Sequence, residues 1–242
     1  GLDAALQSTA DAQKHWKTTD FAYRSQLLRK AGAILRDEVD THAGLIATEM
    51  GKPVTEARAE VLKCALTCDY YADHAEEFLA PKPVKTEAVT SYVAYEPLGV
   101  ILAVMPWNFP YWQVIRFAAP TLTSGNGGLL KHASNVTGSA LAIQDVFERA
   151  GYPKNLFQTL VLAQHSMVNE IIADKRVAAV TLTGSEGAGA NVAEAAGRAL
   201  KKTVLELGGS DPFVILDDVD LDAITPLAVR ARFTNTGQSC LC

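Results

Sequence analysis

Residues 91–209 alternate short aliphatic runs with stretches of helical period, and that alternation leaves few folds open. "SYVAYEP" and "VILAVMP" read as strands and are followed by a helix, then "GLLKHA" as strand, "GSALAIQDVFERAG" as helix, "LFQTLVLA" as strand, "MVNEIIAD" as helix, "VAAVTLTG" as strand, "AGANVAEAAGRAL" as helix and "KTVLELGG" as strand. Strands separated by helices run parallel, because the helix carries the chain back to the edge where the previous strand began. The strand runs are apolar with little alternation, which calls for cover on both faces. The expectation is an α/β fold with a mainly parallel sheet and helices on both faces.

Ahead of this part the pattern is helical only. Leu27, Leu28, Ala31, Ile34, Leu35 and Val39 recur at helical spacing behind Asp20 as a candidate N-cap, and "PVTEARAEVLKCALTCDYYADHAEEFLA" repeats the pattern after Gly51 and Lys52. The sequence thus predicts a helical pair, closed off by the proline-bearing break "APKPVKTE". The expected division is a helical segment over 1–80 packed on an α/β domain over 81–220, with the start of a further domain over 221–242.

With 242 residues, 48% of them hydrophobic, the chain can bury a sizeable core. Its 22 basic and 27 acidic residues are interspersed, giving a net charge of −5 with no basic stripe for nucleic acid and no polybasic membrane anchor. The apolar run from Gly99, "GVILAVMP", is far shorter than the ~18 residues a membrane span requires. Small molecules are therefore the expected partners. The four cysteines are too few for a disulfide scaffold, which favours a reducing compartment and a cytoplasmic location; Gly1 in place of an initiator Met leaves a removed targeting segment open. Cys64 and Cys68 share a helix face and read as buried small hydrophobes, since no histidine or cysteine set with zinc spacing follows.

Ligands of a parallel sheet gather at the carboxyl ends of its strands. The segments that follow the strands here are "MPWNFPYWQVIR", "HASN", "GSEGAG" and "LGGSDP", and the chain ends in "RFTNTGQSCLC". Any one of them alone could be turn chemistry. In order, however, "PWNFP", "LTGS", "ELGG" and "GQSC" resemble the aldehyde dehydrogenase superfamily, over essentially the whole chain. That resemblance implies a Rossmann-like dinucleotide-binding domain, with most of the catalytic domain and the oligomerisation strand lying beyond residue 242. On this reading the full protein is a homo-oligomer, and residues 1–242 by themselves turn over no aldehyde.

The resemblance makes Cys240 the catalytic nucleophile, and its setting in "TNTGQSC" suits a reactive thiol better than those of Cys64 and Cys68. Asn108, held between prolines in "PWNFP", is the candidate donor to the oxyanion, with the backbone N–H of Cys240 as a second. Glu206, a carboxylate within an aliphatic run and so costly to bury without a task or partner, is the candidate base for thioester hydrolysis. Its presence argues against relatives that pass the acyl group to coenzyme A. Cys242, two residues past the nucleophile, is a candidate redox partner for it, as in some succinate-semialdehyde dehydrogenases.

No G-x-G-x-x-G follows the first strand, so the cofactor site rests on the resemblance. It implies NAD or NADP bound by Pro106, Trp107, Lys131, Ser134, Gly184, Ser185 and Leu207, with the pyrophosphate at the helix opened by Gly184 and Ser185. Glu186 stands where a hydroxyl is more usual, which bears on local geometry. Ser134 stands where a glutamate often repels a 2'-phosphate, so NADP should be tolerated or preferred; a plain loop serine is the competing reading. Arg116, eight residues after Asn108 among aromatic residues, suggests a substrate carboxylate and hence succinic semialdehyde; its competing reading is an ion pair with a surface acid. Other aliphatic or phosphorylated semialdehydes, and a nucleotide-binding fragment without turnover, stay open as alternatives.

Overall fold

The computed structural model describes residues 1–164 and 166–241. Four helices come first: α1 (Leu2–Trp16), α2 (Phe21–Asp37), α3 (Val39–Met50) and α4 (Val54–Phe78). Asp20 caps α2 as expected, its carboxylate accepting from the Tyr23 N–H at 2.7 Å. The expected pair is corrected to four helices. The apolar period runs unbroken through residues 21–50, yet the helix breaks at Glu38, whose φ of −107° and ψ of 22° turn the chain for a single residue. A one-residue break hardly disturbs a 3.6-residue period, which is why the sequence does not show it.

The chain continues through β1 (Lys82–Pro83), β2 (Tyr92–Val93), β3 (Val100–Met105), α5 (Trp112–Thr123), β4 (Gly127–His132), α6 (Thr137–Ala150) and β5 (Phe157–Thr159). It closes with α7 (Met167–Ala173), β6 (Val177–Thr183), α8 (Glu186–Arg198), β7 (Lys202–Glu206) and α9 (Leu221–Phe233). "SYVAYEP" departs from expectation: β2 pairs antiparallel with β1 in an exposed two-stranded ribbon, apart from the main sheet. Tyr92 and Val93 are both exposed, so hydrophobicity there does not mark a core strand.

The main sheet is parallel throughout, in the order β5-β4-β3-β6-β7. The chain starts in the middle at β3, builds outward to β5, and returns to add β6 and β7 on the other side. On one face Ala103, Met105, Leu130 and Phe157 pack with α5 and α6 and, beyond them, with α2, α3 and α4 in one continuous core. On the other, Leu102, Leu129, Val180 and Leu182 pack with α1, α7 and α8. Alternate residues of β3 and β4 serve the two cores, which is what a strand covered on both faces requires. Cys64 and Cys68 are fully buried in the first core, where loss of solvent raises the Cys64 thiol pKa and pushes that of Cys68 to about 12.

Candidate active site

Because the strand order reverses between β3 and β6, the loops leaving their carboxyl ends diverge and leave a crevice. Pro106, Trp107 and Asn108 enter it from β3, Thr183, Gly184 and Ser185 from β6, Leu207 and Gly208 from β7, and Gln238, Ser239 and Cys240 from the last loop. The structure thus brings seven of the expected site residues into one cleft of about 380 Å³. Ser185 caps α8, its hydroxyl accepting from the Ala188 N–H at 3.3 Å, so the positive end of that helix faces the cleft. Gly189 keeps the wall close: a Cβ there would lie 2.5 Å from Leu207.

Asn108 is tied at both ends. Its Nδ2 donates to the Gln238 carbonyl at 2.8 Å, and its own carbonyl accepts from Asn235 Nδ2 at 2.7 Å. An amide nitrogen has two hydrogens, so one remains for an oxygen lying in the cleft. Cys240 is partly exposed at the cleft wall. The loop that delivers it is wound by three successive left-handed residues, Asn235 (φ 57°), Thr236 (φ 56°) and Gly237 (φ 73°). Such a conformation is ordinary for glycine and accessible to asparagine, but a β-branched threonine adopts it only under constraint. Cys242, the expected redox partner, lies outside the described residues.

Glu206 and Arg116 sit beside this cleft, together in an adjoining groove lined by Met105, Gln113, Thr181 and Val204. Thr183 and Glu206 are paired residues of neighbouring strands, so their side chains share a face. Arg116, reaching down from α5, has Nη1 3.8 Å from Glu206 Oε2 and Nη2 3.5 Å from Thr183 Oγ1. β7 is the edge strand, and the Glu206 side chain is 53% exposed. Lys131 and Ser134 occupy a separate pocket of about 220 Å³ at the ends of β4 and β5, with Thr137, Thr159 and Leu160 among its walls. Among the described residues no carboxylate lines it, and burial holds the Lys131 pKa below the ordinary lysine value.

Several residues that shape the site escaped the sequence reading. Glu60, buried on α4, accepts from the N–H groups of Tyr111 and Trp112 at 2.8 and 2.9 Å, capping α5 from another element. Its second oxygen pairs with buried Lys52, whose ammonium stands 4.4 Å from the centre of the Phe109 ring. His132 lies under the "PWNFP" loop, with Nε2 2.9 Å from the Pro110 carbonyl and Nδ1 accepting from the Ala133 N–H at 2.9 Å. Burial lowers its pKa, against the opposing pull of the Pro110 and Met105 carbonyls. The one available sequence signal was an acid at position 60 on the otherwise apolar face of Ala57, Val61, Cys64 and Ala65.

The profile of the Aldehyde dehydrogenase family matches residues 1–242. The chain belongs to that family. It is 55% identical over 240 residues to a probable succinate-semialdehyde dehydrogenase [NADP(+)] of Synechocystis, covering 99% of this chain and 53% of that one. It is 48% identical over 239 residues to the succinate semialdehyde dehydrogenase [NAD(P)+] of Escherichia coli, covering 99% of this chain and 52% of that protein. Among solved structures, succinic semialdehyde dehydrogenase from Streptococcus pyogenes in complex with NADP+ superposes with a TM-score of 0.96 at 43% identity, over 99% of this chain and 53% of the other. The chain spans about half the length of these relatives. No helix among its described residues is long and apolar enough to cross a membrane.

Proposed function

We propose that the intact protein oxidises succinic semialdehyde to succinate with NADP, through a thioester on Cys240. The observation that carries the reading is the single cleft in which Asn108 and Cys240 meet the N-terminus of α8, with Arg116 and Glu206 in the groove alongside. The names of the relatives point the same way.

The donor set fits a dinucleotide carrying a 2'-phosphate. The α8 N-terminus and Ser185 suit a pyrophosphate, and Lys131 and Ser134, in a pocket with no lining carboxylate among the described residues, suit the additional phosphate. When bound, the dinucleotide supplies the hydride acceptor. The Cys240 thiolate adds to the aldehyde carbon, forming a C–S bond, while the free Asn108 Nδ2 hydrogen and the Cys240 N–H meet the charge that appears on oxygen. Loss of hydride from that carbon leaves a thioester. Glu206 then takes a proton from water, the resulting hydroxide adds to the thioester carbon, and the C–S bond breaks to release the carboxylic acid and restore the thiolate, after which the acid and Glu206 each give up a proton to solvent. Arg116, in the adjoining groove, is the residue assigned to the far carboxylate of a four-carbon semialdehyde. By the same reading the intact protein assembles into a homo-oligomer, which its mass in solution would report.

The test is reduction of NADP and of NAD by the intact protein on succinic semialdehyde and on butanal, with Cys240→Ser as control. Higher efficiency with NADP and with the acid substrate is expected. Preference for butanal would remove succinic semialdehyde from the proposal, and turnover by Cys240→Ser would remove the thioester route.

A further inference from the structure

The loops that carry Asn108 and Cys240 come from parts of the chain more than a hundred residues apart, yet both are fastened to the first turns of one helix, α4. Glu60 accepts from the Tyr111 and Trp112 N–H groups and so fixes where the "PWNFP" loop runs into α5. Glu56, one turn earlier on the same helix, accepts from the Asn235 N–H at 2.7 Å. Asn235, buried and left-handed, donates in turn to the Asn108 carbonyl at 2.7 Å. The bonds therefore close a ring: α4, Glu56, Asn235, Asn108, the short link to Tyr111, Glu60, and α4 again.

We infer that Glu56 and Glu60 are positioning residues that set the spacing between the Asn108 amide and the Cys240 thiol by holding both loops on α4. Neither carboxylate lines the cleft, so neither is a catalytic residue. The two do different parts of the task. Glu60 is buried with Lys52 and secures the loop together with the fold, since removing it would strand a buried ammonium. Glu56 makes one bond among the described residues, to the Asn235 N–H, and its loss unties the Asn235–Gly237 turn from α4 without opening the core, leaving the turn held by its bonds to Asn108 alone on that side. The left-handed Thr236 makes the turn depend on such a tether, because released chain relaxes away from a conformation that threonine disfavours.

The inference rests on the functional reading above, and its test uses the intact protein. Glu56→Ala is expected to lower kcat by roughly ten- to a hundredfold, the scale on which about 1 Å of misplacement acts, with the dissociation constant for NADP and the thermal midpoint little changed. Glu56→Gln keeps an oxygen that accepts the same N–H and should regain most of the loss. In an Asn108→Ala background, where the amide has gone, Glu56→Ala should cost less than about threefold further. Peptide-resolved alkylation of Cys240 by iodoacetamide provides a readout independent of turnover, and should change by about tenfold in Glu56→Ala. Unchanged kcat and alkylation, a Gln variant as impaired as Ala, or equal losses in both backgrounds would each overturn the clamp. Should the unmutated protein oxidise no aldehyde, the functional reading falls and alkylation alone decides the clamp.

Discussion

Arg116→Ala separates the two tasks that one guanidinium faces. In the structure it lines, with Glu206 at 3.8 Å, the groove where a substrate's far end would lie, and its own side chain is 37% exposed. An ion pair this open to solvent contributes only about 0–1 kcal/mol, so its loss should leave the fold intact and change the efficiency on an uncharged aldehyde by no more than about fivefold in either direction. A charge-assisted bond to a substrate carboxylate inside the assembled site is worth roughly 1.5–3 kcal/mol, or about one to two orders of magnitude in kcat/KM. The assay is kcat/KM on succinic semialdehyde and on butanal, for the intact protein and the variant, with the thermal midpoint measured alongside. Because the ratio of the two efficiencies cancels general damage, the expected result is a ratio reduced ten- to a hundredfold at nearly constant stability. A ratio that stays put would mean that Arg116 serves Glu206 alone, and the case for a dicarboxylate product would lose its main structural support.

Ser134→Glu should shift preference from NADP toward NAD, by about tenfold for each ~1.4 kcal/mol of repulsion against the 2'-phosphate; an unchanged ratio of the two cofactor efficiencies would refute the assignment of that pocket. Gly125→Ala should lower stability by about 1–3 kcal/mol, read as a lower urea midpoint, because φ is +86° and a Cβ would lie 2.5 Å from Arg24 Nη1 and 2.8 Å from Pro97 Cγ; a midpoint equal to that of the parent would contradict it. Burial holds both His42 and His132 below the ordinary histidine pKa, so the unfolded chain binds protons that the folded one rejects. Their contribution to stability is therefore present above pH ~6.5 and lost as pH falls below it. The urea midpoint should drop between neutral and mildly acidic pH, less steeply in His132→Gln, and a midpoint that rose over that interval would be inconsistent with buried neutral rings.

What the sequence disclosed and what it hid divide along distance in the chain. Strands and helices are local periodicities, and a parallel sheet forces its ligand-binding residues to follow its strands, so Asn108, Gly184, Ser185 and Leu207 could be assigned to one edge before any coordinates. Cys240 joined them through its motif. The contacts that aim these groups are not local. Glu56 meets the Asn235 N–H across 179 residues, and Glu60 meets the Tyr111 N–H across 51. Nothing in the spacing of either acid foretells its acceptor role; Glu60 shows only as a polar interruption of an apolar face, and Glu56 not even as that. The pairing of Arg116 with Glu206 shows in the sequence only as an unspecified surface acid.

Starting the sheet in its middle has a consequence for how the cleft comes into being. Val100 pairs with Gly127 on one side and with Val177 on the other, so the first half of the sheet can close over short chain separations while the second requires a longer loop at a somewhat higher entropic cost. Everything from β3 to β5, with its helices, can thus be assembled while no crevice yet exists, since the crevice is the gap between β3 and a strand that has not arrived. The candidate site is a seam between two parts of the sheet, and it exists only where β6, β7 and the loop from residue 235 onward have come to lie beside the end of β3.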